Sequence, residues 1–279
     1  LTFTDFFAQN GAKAQIYPID VTRETVLTGI LGTKLSIQPF SFCDYYGNVI
    51  TGNEVNLHLK EVFYKPEMVL SNKVTTSRDR LLESGGQIFL AAFQGKQPLK
   101  LKTPVEVGLP LKQPLSNPLG MHLFEGSLTI TRAFRGTTAF DWRLLESESI
   151  SMRKEKGKKY FYFSIDQLNW YNCDTFYARK APRTMVSASI NMPIEKFDDL
   201  AAFILFKGAN AVARMYPNGH RFTSFNMPQK KPASILILGL KNSQLFDGCT
   251  TMEQTTNRMV EVEIQAGELQ ELKALLNRL

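Results

Sequence analysis

Val55, Leu57 and Leu59 alternate strictly with Asn56, His58 and Lys60. A period of two belongs to a strand with one buried and one wetted face, and it rules out an amphipathic helix over that stretch. The same pattern recurs through the first 110 residues. Short apolar pieces at 25–29, 34–37, 87–93 and 105–109 are separated by turn residues: Gly29 and Gly32, Pro39, the turn Asp44 to Asn48, Thr51-Gly52-Asn53, and the loop Gln94 to Gln97. About seven such strands in so short a span predict a β-sandwich.

One polar segment, Lys60 to Gly86, interrupts these strands. It is too long for a tight turn and too rich in Val, Leu and Met for disorder, so it reads as an ordered crossover between sheets. Met68, Val69 and Leu70 are expected to anchor it, and Gly85-Gly86 to turn the chain tightly into the next strand. It carries no catalytic or metal signature. Ahead of the strands, Phe3, Phe6 and Phe7 share one face of a short helical turn, a lead-in expected to pack against the first domain.

Prolines 110, 114 and 118 fall within Pro110 to Gly120. Such a stretch cannot enter a central sheet, so a domain boundary is predicted there: a first domain over 1–110, a linker over 111–120 and a second β-sandwich over 121–279. Strands are expected at 128–132, 140–145, 160–165, 185–191, 201–207, 221–225, 234–240 and 259–264, with turns at Lys156-Gly157, Asn218-Gly219 and Asp247-Gly248. The chain closes on Leu269, Leu272, Leu275, Leu276 and Leu279, a single apolar stripe on a C-terminal amphipathic helix that is expected to dock on its own domain. The predicted fold is all-β, two sandwiches and one terminal helix.

The longest apolar runs, 200–206 and 235–240, are far too short to cross a bilayer as a helix. The first residue is Leu1, and the opening ten residues lack the pattern of a signal peptide, which is what a processed or trimmed chain would show. Net charge is +7, of which +2 lies in residues 1–115 and +5 in the rest. The densest cluster is Arg153, Lys154, Lys156, Lys158 and Lys159 around Gly157, read as a solvated hairpin tip that could meet an anionic partner. Aromatic residues are not interleaved with these charges, so no nucleic acid is expected as partner. Cys43, Cys173 and Cys249 show no metal-ligand spacing; one long-range disulfide or three reduced thiols both fit.

A family likeness rests on Gly32-Thr-Lys-Leu-Ser-Ile37, Pro39-Phe40, the Asp44 to Asn48 turn, Thr51-Gly52, Lys60-Glu61-Val62, Met68 to Ser71 and Leu81-Leu-Glu-Ser-Gly-Gly86. Together these resemble a bacterial form of the ZU-five β-sandwich, over roughly residues 10–110. The second half resembles the region C-terminal to that domain in such bacterial proteins, through Met121 to Phe124, Phe140-Asp-Trp142, Leu168-Asn-Trp170 and Asn172-Cys-Asp174. The resemblance implies an interaction or assembly module, periplasmic, outer-surface or secreted, with a protein or surface glycan as partner and no cofactor. Some members cut their own chain at His-Phe-Ser. This sequence has no His-Phe-Ser, only His122-Leu-Phe and His220-Arg-Phe at unsuitable spacing, so self-cleavage is not expected.

Enzymatic chemistry finds little support. His58, His122 and His220 are scattered, and no nucleophile elbow, phosphate loop, zinc-protease or dinucleotide motif is present. Glu61 with Glu83, or Asp198 with Asp199, are the carboxylate pairs that could converge in a glycosidase manner, and solvated or turn-forming carboxylates are the simpler reading. Asp44 and Asn48 lack the alternating oxygen ligands of a calcium loop. The expectation is a non-enzymatic interaction module with no metal. The alternative is a carbohydrate-binding protein using aromatic and basic residues of the second domain: Trp142, Trp170, Tyr171, Lys154 and Lys158 are the candidate ligand contacts, with Tyr177 a further aromatic of the same platform.

Overall fold

Strands dominate the computed structural model, which describes residues 2–52, 54–131 and 137–279. Three α-helices occur among the described residues: α1 (Phe3–Asn10), α2 (Lys65–Leu70) and α3 (Leu269–Leu276). The fold is all-β, and it ends on the expected amphipathic helix. Leu1, Asn53 of the expected Thr51 to Asn53 turn, and Arg132 at the end of the expected 128–132 strand lie outside the described residues.

Two sheets form the first unit. One runs in the order Gln15–Asp20, Glu54–Val62, Arg80–Gln94, Trp170–Phe176, His122–Thr131, Thr137–Leu144; the other runs Ser151–Glu155, Lys158–Ile165, Val105–Pro110, Lys34–Ile37, Thr25–Thr28. Val55, Leu57 and Leu59 point inward as their alternation requires, and meet Leu35, Ile37, Val105, Val107 and Phe163 of the facing sheet in one core. The first unit is therefore a sandwich.

Its extent differs from the expected 1–110. Val105–Pro110 pairs with Lys158–Ile165, and Arg80–Gln94 pairs with Trp170–Phe176, so strands on both sides of the proline-rich segment share the same sheets. The prolines keep 111–120 itself out of a sheet without deciding which strands its flanks will join. The sandwich runs from Gln15 to Phe176, and the change of unit comes between Phe176 and Arg183.

The second unit is one sheet curled into both of its own layers. Its order is Met259–Val262, Arg183–Ile190, Arg221–Pro228, Val212–Asn218, Asp199–Phe206, Ala233–Lys241, Gln244–Met252, Gln265–Ala266. The first and last strands belong to one stretch of chain: 259–262 runs parallel to 187–190, and 265–266 pairs with 246–247. One segment thus joins both edges. Ala202, Ile204, Ala213, Met215, Phe222, Ile235, Ile237 and Ile264 form a single cluster drawn from nearly every strand, as the inside of a closed sheet must.

The outward-facing set, Phe203, Leu205, Leu236 and Leu238, would be wet unless something covered it. All three helices do so. Phe3, Phe6 and Phe7 of α1, Met68, Val69 and Leu70 of α2, and Leu272 and Leu276 of α3 complete that second cluster. An eight-residue helix would not persist alone, and burying three rings at about 2 to 3 kcal/mol each is what holds α1 in place. The lead-in therefore packs on the second unit, with the Phe7 and Phe203 rings 6.2 Å apart, not on the first as expected. Periodicity shows that a helix has an apolar face without showing which sheet needs one.

Two turn assignments also change. Leu81-Leu-Glu-Ser-Gly-Gly86 lies within the fifteen-residue strand Arg80–Gln94. Between the pairs Gln87–Asn172 and Ser84–Asp174, Gly85 and Gly86 oppose the single residue Cys173, a β-bulge with Gly86 at φ 142°. Asp247-Gly248 likewise sits in a strand, paired with Leu238 and Ile237, while the hairpin turn is Asn242-Ser243, both left-handed. The Lys156-Gly157 turn is a two-residue hairpin as expected.

Candidate binding cleft

The two units meet along residues 72–84. Thr75 N–H donates to Val212 O at 2.7 Å and Ser84 N–H to Asn210 O at 2.9 Å, while the indole N–H of Trp142 donates to Val74 O at 2.7 Å. At one end of this seam opens a cleft of about 420 Å³.

Local chemistry explains what reaches into it. Pro66 lies in the first turn of α2, and Glu67 caps that turn by accepting the Tyr64 N–H at 2.7 Å. The helix ends at Asn72, left-handed at φ 51°; its N–H donates to Val69 O and that of Lys73 to Met68 O, the paired bonds of a left-handed helix stop. Asparagine tolerates this backbone well. The stop delivers Lys73 to the outer face of the first sandwich.

On that face Lys60 lies opposite Phe89, and Phe89 opposite Trp170, on three adjacent strands. The Phe89 and Trp170 ring centres are 5.3 Å apart. Lys73 Nζ sits 3.9 Å from the Phe140 ring centre and 5.1 Å from that of Trp170, and Lys60 Nζ is 5.8 Å from Phe89. Two ammonium groups thus rest on an aromatic shelf. From the second unit, Arg214 donates to Asn72 Oδ1 at 2.7 Å and lies 4.7 Å from the Phe203 ring. Helix α1 forms the remaining wall through Phe3 and Phe7.

Charge in the cleft is one-sided. Lys60, Lys73 and Arg214 line it with a single carboxylate, Asp199, which already accepts the N–H groups of Phe3 and Leu200 at 2.9 Å each. None of the three cations forms an ion pair among the described residues. Burial, with the Lys60 charge adding to it, pushes the Lys73 ammonium down to about 8. Burial also lowers Arg214, though a guanidinium stays charged at neutral pH. The arrangement suits a carboxylate or phosphate attached to something flat enough to lie against Trp170.

The candidate ligand contacts named from sequence do not come together. Trp142 is 1% exposed and Tyr171 2%, both core residues, with the Tyr171 hydroxyl donating to Gln167 O at 3.1 Å. Tyr177 packs against Phe206, 6.0 Å between ring centres. Lys154 and Lys158 are exposed on the Ser151–Ile165 hairpin of the other sheet, where Lys154 faces Lys159. Trp170 alone of the five reaches the cleft. Lys60, Lys73 and Arg214 were not singled out by sequence, and Asp199 was named only as half of a carboxylate pair. A signal existed for the first two: Lys60 falls on the wetted face of a strand, and Asn72 before Lys73 is a recognisable helix stop.

The carboxylate pairs are separately engaged. Glu61 accepts the N–H groups of Leu31 and Thr33 at 2.8 and 2.9 Å, and Glu83 accepts from Ser116, while Asp198 accepts the Asn242 N–H at 2.6 Å. His58 packs on Phe93, His122 faces Phe176, and His220 pairs with Glu195 at the surface. Asp44 accepts the Tyr46 and Asn48 N–H groups at 2.9 Å, which makes it a turn residue. Among the described residues, no three His, Cys, Asp or Glu side chains converge as a metal site would need, and the three cysteines are unpaired. No described helix is long and apolar enough to cross a membrane. No protein-family model matches the chain, and no curated protein matches it.

Proposed function

We propose that the protein is a non-enzymatic binding module that takes a small anionic ligand in the cleft between its two units. The observation that carries this reading is the convergence of Lys60, Lys73 and Arg214 on one cavity whose only carboxylate among the described residues is already satisfied by backbone N–H groups. Three cations brought to one cavity without an ion pair repel one another, and an incoming anion offsets that cost. In this reading the protein works in the periplasm or at the outer surface as an interaction module of ZU-five type, as the sequence resemblance implies.

The glycan alternative survives in narrower form. Trp170 presents part of its ring to the cleft beside two ammonium groups, so the saccharide that fits is an acidic one. Calorimetric titration with inorganic phosphate, citrate and galacturonate tests the reading, with neutral galactose as control. Saturable binding of at least one anion, lost in Lys60→Ala with the fold intact, is expected. Binding of galactose as strong as galacturonate, or no saturable binding at all, would overturn it.

A further inference from the structure

We propose that Lys73 is a nucleophilic amine that condenses reversibly with the carbonyl group of a small anionic oxo compound held in the cleft. The inference rests on the cleft being an anion site and adds the chemistry of its ligand. Three features of the geometry support it. The side chain lines a cavity large enough for a small molecule. Its Nζ rests on the faces of Phe140 and Trp170, with no carboxylate within ion-pairing distance among the described residues to hold it charged. Lys60, a second ammonium, lines the same cavity.

Burial in apolar surroundings and a neighbouring cation are the two means by which a lysine is made nucleophilic at neutral pH. Both act on Lys73, burial first and Lys60 second, and bring it to about 8. The neutral amine attacks the carbonyl carbon and gives a carbinolamine. Loss of the former carbonyl oxygen as water, carrying both amine protons, leaves a C=N bond between ligand and Nζ. No oxidant or further reactant is needed. Lys60 and Arg214 line the same cavity and pair with the ligand's carboxylate. An oxo acid such as pyruvate combines the two groups that the cleft addresses.

The test uses the intact protein with pyruvate and cyanoborohydride, which reduces an imine to a stable amine, followed by peptide mass mapping. Lactate, which has the carboxylate without the carbonyl, is titrated in parallel by calorimetry. Labelling at Lys73 about tenfold above any other lysine near pH 8, abolished in Lys73→Arg and moved to higher pH in Lys60→Ala, is expected. If lactate binds saturably but labelling is spread evenly over the lysines, the amine chemistry is wrong and the anion site stands. If lactate does not bind and Lys73 is not selectively labelled, both fall. Selective labelling of Lys73 whose pH profile matches that of surface lysines would also overturn the proposal, because the site would then confer proximity without activation.

Discussion

Ser84 and Asn210 hold each other across the boundary between the two units: the Ser84 N–H donates to Asn210 O at 2.9 Å, and Asn210 Nδ2 returns to Ser84 O at 2.8 Å. The same amide also reaches Phe63 O at 2.8 Å, so one side chain from the second unit satisfies two buried carbonyls of the first. Asn210→Ala removes the amide donor from Ser84 O, while Phe63 O keeps the one from Gln113 Nε2 at 3.2 Å. A loss of about 1 to 2 kcal/mol in urea unfolding is expected, and a change below about 0.5 kcal/mol would show that water replaces the amide there.

Gly86 and Gly47 separate backbone freedom from lack of space. Both are left-handed, at φ 142° and 90°. A Cβ on Gly47 would meet nothing within 4 Å, whereas one on Gly86 would lie 2.5 Å from the Phe63 ring. Gly47→Ala is therefore expected to cost about 1 kcal/mol, and Gly86→Ala about 3 kcal/mol or more. Equal losses on chemical denaturation would mean that the bulge can shift to clear Phe63.

Lys73 gives stability a dependence on alkaline pH. Its folded pKa, about 8, lies below the ordinary 10.5, so between these values the unfolded chain holds the extra proton and stability rises with pH. Below pH 8 the buried charge is a standing penalty. Lys73→Met is expected to stabilise the protein by about 1 to 3 kcal/mol at neutral pH, with the gain vanishing as the pH approaches 10.5. Denaturation midpoints across that window measure it; a gain independent of pH would assign the effect to packing.

Asp174 acts in the opposite sense. It is fully buried, with Asn172 Nδ2 donating to Oδ2 and Oδ1 unpartnered, and burial raises its pKa well above the carboxylate range. The folded state keeps a proton that the unfolded chain has released. Stability from this group is complete below about pH 4 and declines as pH rises toward the folded pKa. Asp174→Asn cannot titrate, so relative to wild type it should gain stability as pH rises above the unfolded carboxylate's pKa of about 4. Parallel pH profiles for the two proteins would remove the buried proton from the account.

Much of the architecture was legible because it is local. The alternation at 55–60, the Lys156-Gly157 hairpin and the leucine stripe of α3 each follow from a period or a turn requirement within a few residues. What was not legible depends on distant partners. Nothing near Pro110 to Gly120 says that Trp170–Phe176 returns to pair with Arg80–Gln94, and nothing in Phe3, Phe6 and Phe7 says that their sheet is some 200 residues away. The strand Gln244–Met252 was obscured by Asp247-Gly248, whose turn chemistry was overridden by pairing on both sides. The cleft was invisible for the same reason: Lys60, Lys73 and Arg214 belong to a strand, a helix stop and a strand of the other unit.

The closing segment 259–266 carries a consequence for the order in which the molecule can assemble. Both edges of the second sheet stay open until that stretch arrives, and α1 has nowhere to dock until Phe203 and Asp199 are in place. During synthesis, residues 72–84 emerge long before the strand that covers them. Such long loop closures make folding slow and leave apolar surface waiting for its partner. A nascent chain released before residues 259–266 would be left with both edges of the second sheet unpaired, so that stretch serves as the clasp of its own sheet.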